Sequence, residues 1–229
     1  MKTTRILLAA LAAGAFTLAG YSAASTALAG TPAARQPGKS GGDHGKATKD
    51  AAKVGDKAPD FTLTDTSGKT WTLADATKEG KIVVLEWFNP ECPVIVNHHE
   101  KNPTFKNMAG EFSGKDVVIV AINSTATGKP GSEKSLNADK AKAWGLDYPV
   151  LLDGDSKVAR QYGAKTTPHM FVIDKNGTLA YAGAIDNGSA AKVGDTNYVT
   201  QAVNELLAGQ TVTTAETRPY GCSVKYANK

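Results

Sequence analysis

The stretch EWFNPECPVIVNHHE, residues 86–100, holds Cys92, one of two cysteines in 229 residues; the other is Cys222. A cysteine can be a nucleophile, a metal ligand or half of a disulfide, and its surroundings decide which. Cys92 stands where an apolar run stops and a turn begins. Pro93 follows it, and proline suits the first helical position because its missing N–H is not needed there. Cys92 is therefore expected at a helix N-cap, beyond the carboxyl end of a central strand, where open α/β sheets carry their sites. Free amides and the helix dipole at such a place favour a thiolate, the species that attacks disulfides and peroxides. The charge of the neighbouring Glu91 would oppose them.

His98 and His99 follow on the same stretch. On a regular helix His99 shares the face of Cys92, and His98 is turned about 100° away. Each is placed either to stabilise a thiolate or, with Cys92, to bind a soft metal such as copper. The alternative is a solvated surface pair, since adjacent histidines lack the spacing of a metal site. His169, beside Pro168, is the better candidate for a neighbour of the site; it too could only pack against a strand end.

The elements that position these residues are legible in outline. APDFTLTDTSGKTWTLAD alternates around Ser67-Gly68, as a β-hairpin does. KIVVLEWF (81–88) and DVVIVAINS (116–124) read as strands buried on both faces. The helical stretches between them predict a βαβ unit with parallel strands. A loop (125–135), a helix within NADKAKAWGL, a strand in YPVLLD and a short helix 156–164 with Ser156 as cap come next. TTPHMFVID and TLAYAGAI predict a second hairpin, and 196–209 an amphipathic helix with Val199, Val203, Leu206 and Leu207 on one face. The order predicts an α/β fold with a central mixed β-sheet flanked by helices, an N-terminal β-hairpin and an extended C-terminal tail.

Residues 1–29 read as an export signal: Lys2 and Arg5, an apolar run too short to span a bilayer, and a small-residue cleavage site ending at Ala29. The expected location is the periplasm or the extracellular space, with no membrane span after cleavage. Residues 30–53 have the composition of a flexible tether. Residues 54–209 form the domain and 210–229 a tail carrying Cys222. The formal charge is +4. The signal carries +2 and the tether +3, which leaves −1 for residues 54–229 and no electrostatic case for nucleic acid.

GDKAPDFTLTDTSGKTWTLAD, then KIVVLEWFNPECP, then TTPHMFVIDKNGTLAYAG resembles the thioredoxin-like superfamily over residues 54–209. The likeness is strongest to its redoxin branch, which includes peroxiredoxins of the alkyl hydroperoxide reductase/thiol-specific antioxidant type and exported thioredoxin-like reductases. It implies a thioredoxin-like fold, thiol–disulfide exchange or peroxide reduction, a protein thiol/disulfide partner or a small peroxide as substrate, and no cofactor or resident metal. Carried over residue by residue, it makes Cys92 the nucleophile and Pro168 a cis-proline. Thr167 becomes the backbone that pairs with a substrate chain, with Pro93 and Trp87 beside the substrate. Two departures stand out. The second cysteine of a C-x-x-C motif is Ile95, and the hydroxyl residue three positions before a peroxidatic cysteine is Asn89. No arginine sits in the peroxiredoxin position; Arg160 and Arg218 are the domain's two arginines. The combination resembles an exported peroxiredoxin-like subgroup with a single cysteine at the active turn and PYGCSVKY near the end.

Cys222 is the candidate replacement for the second cysteine. From Gly209 the tail reaches roughly 43 Å, against a radius of gyration of about 16 Å, so it can meet the Cys92 turn. Two readings stay open. Cys222 resolves a disulfide on Cys92, or the two form a permanent bridge worth roughly 5 kcal/mol. A thiol-dependent peroxidase, a non-enzymatic copper-binding protein and a structural thioredoxin-fold domain are the alternatives to an exchanging enzyme.

Overall fold

In a computed structural model, residues 51–228 are described. The signal (1–29) and the tether up to residue 50 lie outside them. The chain runs β1 (Thr62–Asp65), β2 (Thr70–Thr72), α1 (Leu73–Lys78), β3 (Ile82–Trp87), α2 (Pro93–Val96), a π turn (Asn97–Lys101), α3 (Thr104–Phe112) and β4 (Val117–Asn123). It continues α4 (Lys134–Trp144), β5 (Val150–Leu152), α5 (Lys157–Tyr162), β6 (Thr166–Thr167), β7 (Met170–Ile173), β8 (Leu179–Gly183), α6 (Tyr198–Leu207) and β9 (Cys222–Ser223).

Seven strands form one sheet in the order β2-β1-β5-β4-β3-β7-β8. β3 pairs parallel with β4 and antiparallel with β7, so the sheet is mixed as the crossover and hairpin predict. β3 lies between them, and all six of its residues are buried. Alternation splits it between two cores. Val83, Leu85 and Trp87 face a cluster with Val120, Ile122, Phe171 and the α5 residues Val158, Ala159 and Tyr162. Ile82 and Val84 face the α3 residues Phe105, Met108 and Phe112 and the α6 residues Val199, Ala202 and Val203. Each such buried aliphatic side chain contributes about 1.5–3 kcal/mol, which makes this strand a fixed frame for the turn at its carboxyl end. α6 buries Val199 and Val203 as expected, but Leu207 is 39% exposed because the helix ends as its stripe rotates off the sheet.

Four local expectations change. TTPHMFVID is two strands, not one: a cis Thr167–Pro168 bond separates β6 from β7. The tail is not merely extended. β9 pairs antiparallel with β6, and Val224 and Tyr226 pack on the core. Ala52, inside the stretch read as tether, donates its amide to Gln161 O at 2.8 Å and packs on the core. Ser156 does not cap α5; its φ is 57° and its hydroxyl donates to Ser124 O at 2.9 Å. Asp153 caps instead, accepting from Val158 N at 3.2 Å, Ala159 N at 2.9 Å and Ser124 Oγ at 2.6 Å.

The loop 125–135 is pinned rather than loose. Gly131 O accepts from Asn123 Nδ2 at 2.7 Å and Asn137 Nδ2 at 3.0 Å, and Ala126 N donates to Lys225 O in the tail at 2.8 Å. Asp153→Ala would orphan two α5 amides and a buried hydroxyl. It should cost about 1–3 kcal/mol in urea unfolding, while a cost within error of zero would show that water replaces the carboxylate.

Candidate active site

The site hangs from the carboxyl end of β3. After Phe88 the chain turns through Asn89, whose Oδ1 accepts from Glu91 N at 2.8 Å and whose backbone O accepts from Cys92 N at 3.0 Å. Asn89 Nδ2 donates to Thr125 Oγ1 at 2.9 Å and Pro130 O at 3.2 Å, which ties the turn to the 125–135 loop. Cys92 then takes the N-cap position of α2, with Pro93 opening the helix. Cys92 is 3% exposed. Its thiol is 3.0 Å from Thr167 O, and its sulfur is 2.7 Å from Cys222 Sγ. Both cysteines are free thiols.

Cys222 arrives on β9, opposite Thr167 in the register with β6. Burial first, then the hydrogen bond and charge of Cys92, push the Cys222 thiol up to about 11; an amide bond from Val94 opposes them. Cys222 is thus a protonated thiol at neutral pH, poised beside Cys92.

The cysteines, Thr167, Pro168 and Pro93 come together as the sequence suggests. Pro93 is exposed beside Cys92, and Thr167 and Pro168 are buried against it. Other assignments need correction. Trp87 is fully buried, donates Nε1–H to Ser124 Oγ at 3.1 Å and packs on Tyr162 and Phe171, so it is core and meets no substrate. Glu91 engages the turn through its amide, and its side chain points into solvent, where its charge is screened.

Neither His98 nor His99 is a surface residue, because the π turn rolls both inward. His98 Nδ1 lies 3.1 Å from Thr104 Oγ1 and Nε2 3.0 Å from Tyr220 OH, which occupies both ring nitrogens. His99 stacks between Phe105 and Trp144, with Nε2 2.8 Å from Glu86 Oε1. Tyr148 OH donates to Glu86 Oε2 at 3.2 Å; burial and then the Glu86 charge hold this phenol well above its ordinary range. Among the described residues no group of three or more His, Cys, Asp or Glu side chains is arranged to hold a metal ion.

His169 is 6% exposed and accepts from Lys165 N through Nδ1 at 3.2 Å. It braces the loop that carries Thr167 and Pro168 and is not a proton carrier. Burial, then the nearby Lys165 charge, lower its pKa to about 3. Arg160 lies over the Tyr226 ring and reaches Ala227 O, and Arg218 is exposed, so both arginines stand apart from the sulfur pair.

Sequence reasoning passed over Asn89 as a builder of the turn, and over Tyr220 and Asp186. Tyr220 and Cys222 sit two apart in PYGCS, so on an extended segment they share a face. That spacing was the available signal.

Comparison with known proteins agrees with this geometry. Residues 54–182 match the model of a family described as AhpC/TSA. The chain is 33% identical over 132 residues to the thiol-disulfide oxidoreductase ResA of Geobacillus thermodenitrificans, covering 57% of this chain and 69% of that one. It is 31% identical over 133 residues to the ResA of Bacillus subtilis, covering 58% and 68%. Among solved structures, a hypothetical protein of Sinorhizobium meliloti superposes with a TM-score of 0.70 at 29% identity, covering 78% of this chain and 97% of that one. The fold is therefore the thioredoxin-like α/β fold expected.

His169 makes the stability of this region depend on pH. Its pKa is about 3 folded against an ordinary 6.5. Between those values the unfolded chain binds the extra proton, so stability falls as pH drops from about 6.5 toward 3. The slope from one such group approaches about 1.4 kcal/mol per pH unit. Urea unfolding of His169→Asn between pH 4.5 and 6.5 should show the slope reduced by up to that amount. An unchanged slope would mean that His169 takes up a proton in the folded state.

Proposed function

We propose a mechanism from the premise that this chain belongs to the AhpC/TSA family and is, like its relatives, a thiol–disulfide oxidoreductase. Cys92 is the nucleophile and Cys222 the resolving cysteine. One observation carries the assignment: two free thiols lie 2.7 Å apart at the end of a central strand, beside the Thr167 carbonyl.

The Cys92 thiolate attacks one sulfur of a partner disulfide. A Cys92–partner bond forms, and the partner's other sulfur leaves as a thiolate that takes up a proton. Cys222 then loses its proton and attacks Cys92 Sγ. The Cys92–Cys222 bond forms, and the partner's second thiolate departs and is protonated. The partner gains two electrons and two protons; the enzyme pair loses two electrons and two thiol protons, that of Cys92 when its thiolate forms and that of Cys222 when it attacks, and the reverse sequence oxidises a partner dithiol. The burial and neighbouring sulfur that raise Cys222 disfavour its thiolate and support its entry second.

The Asn89 amide and carbonyl are spent on the turn. That use supports disulfide exchange over peroxide reduction, because no hydroxyl stands in its place beside the sulfur. Residues 1–29 carry the features of an export signal, and an oxidising compartment suits a reaction that cycles a disulfide. We place the enzyme there, acting on protein disulfides. Among the described residues no helix is long and apolar enough to cross a membrane.

Thiol trapping and mass measurement across a redox-buffer series tests this reading. The Cys92–Cys222 bond should titrate between about −120 and −270 mV, the range of catalytic pairs. Resistance to below about −300 mV would make the bond a structural staple and overturn the mechanism. Cys92→Ser should abolish turnover of a disulfide substrate. Cys222→Ser should form a stable mixed disulfide and stop there, with turnover down to background.

A further inference from the structure

A partner chain that pairs with Thr167 needs a strand position beside β6, and that position is filled. The enzyme's own tail lies there, antiparallel, with Cys222 opposite Thr167 and Ser223 opposite Thr166. Val224 N donates to Lys165 O at 3.1 Å, and Thr167 Oγ1 donates to Cys222 O at 3.4 Å. Cys92, the sulfur a partner must reach, is buried in the same cluster against Tyr220 and Cys222. The tail therefore sits as a tethered substrate would.

The pairing itself is short, only two residues on each strand. Beyond it the tail is anchored by Val224 and Tyr226 on the core and by the bonds that Ala126 N donates to Lys225 O and Ala227 N to Ser156 Oγ, while on the Cys92 side it is reinforced at two points. The first is Tyr220. Its hydroxyl donates to Asp186 Oδ1 and lies 3.0 Å from His98 Nε2. These partners are fixed from behind. Asp186 is buried and accepts from Gly188 N at 2.8 Å and Gly194 N at 2.9 Å; His98 is anchored on Thr104. A hydrogen bond to a carboxylate is roughly twice as strong as one between neutral groups. The second point is Gly221, at φ +138°, where a Cβ would lie 2.2 Å from Thr167 O. Only glycine lets the backbone come that close.

We propose that Tyr220 is a positioning residue for the exchange reaction: its hydroxyl, latched on Asp186 and His98, holds Cys222 in register against Thr167, and so both presents the resolving thiol and keeps partner chains off Cys92 until the latch opens. The proposal rests on the reading of Cys92 as nucleophile. It ties two steps together with opposite signs. Loosening the latch exposes Cys92, so capture of a partner disulfide speeds up. The same change lowers the effective concentration of Cys222, so closure of the Cys92–Cys222 bond slows and its equilibrium weakens. General damage to the fold would depress both steps.

The test uses the full chain and an extended cysteine peptide joined by a disulfide to thionitrobenzoate. Attack by Cys92 forms the Cys92–peptide disulfide and releases the coloured thiolate. Capture should be about tenfold faster in Cys222→Ser/Tyr220→Phe than in Cys222→Ser. With Cys222 retained, Tyr220→Phe should lower the equilibrium constant for disulfide closure about tenfold, a rise of about 30 mV in reduction potential. Gly221→Ala, whose Cβ would meet Thr167 O, displaces β9 from β6 and should move each readout in the direction given for Tyr220→Phe, which keeps the test available if Tyr220→Phe fails to fold. Equal capture rates with an unchanged potential would overturn the latch and leave the Cys92 reading standing. Absence of capture in every protein would overturn the Cys92 reading, and the latch with it.

Discussion

The burial of β3 on both faces is the constraint that creates the site. A strand with six buried residues must leave the core all at once, and the turn after Phe88 is where it does so. Backbone groups released there need partners. Asn89 supplies them from its own side chain and backbone, and the turn it builds delivers Cys92 to the start of α2. β7, on the other side of β3, fixes the opposite wall. Trp87 N donates to His169 O at 2.9 Å, so the cis-proline loop is held in register with the strand that carries the cysteine. The 3.0 Å separation of Cys92 Sγ and Thr167 O is thus set by two neighbouring strands, with no loop free to drift.

Burying polar groups under such a site is costly unless each is paired, and here the pairing is thorough. Glu86 points from β3 into the second core and meets His99 and Tyr148 there. His99 in turn is clamped by Phe105 and Trp144. Removing one partner of a buried hydrogen bond leaves the other unsatisfied, at a cost of about 1–3 kcal/mol. This cluster therefore fixes how α2, the π turn and α3 sit on the sheet. The two histidines that follow the cysteine are thereby tied into the packing of the segment that positions the sulfur.

How much of this was legible depended on how local each determinant is. The hairpins, the parallel pair and Cys92 at an N-cap arise from patterns a few residues long, and each was visible; the cis-proline at Pro168 was expected from the family resemblance. His98 and His99 misled because NHHEK looks like a polar helix face. The π turn that rolls them inward places His99 between Phe105 of α3 and Trp144 of α4, a pairing that no local pattern encodes. Ser156 misled in the same way. It has the right type for a cap, but its positive φ turns the hydroxyl toward Ser124 and leaves the task to Asp153. Trp87 matched a family position but packs as the alternation along β3 requires. The pairing of Tyr220 with Asp186 and His98 was invisible for a different reason, although the spacing of Tyr220 and Cys222 was there to read. These partners lie 34 and 122 residues from Tyr220 along the chain, and only the fold brings them together.

The replacement of a C-x-x-C cysteine by Ile95 has a physical consequence for the reaction. Ile95 is fully buried and packs with Phe88, Cys92 and Trp144, so the first turn of α2 adds to the core where it would otherwise carry a second thiol. A resolving cysteine on the same helix turn has its effective concentration fixed by helix geometry. A cysteine on a tail strand does not: its concentration at Cys92 is set by whatever holds the tail. Two β6–β9 residue pairs would hold it weakly, because a two-stranded ribbon alone is marginal in water. The hydroxyl of Tyr220 and the close approach at Gly221 on one side, and the packing of Val224 and Tyr226 with the Lys225–Ala126 bond on the other, make up the difference. On the proposed mechanism, the separation of nucleophile and resolving thiol onto different elements turns a fixed quantity into an adjustable one, and the residues proposed to adjust it lie in the tail, outside the helix that bears Cys92.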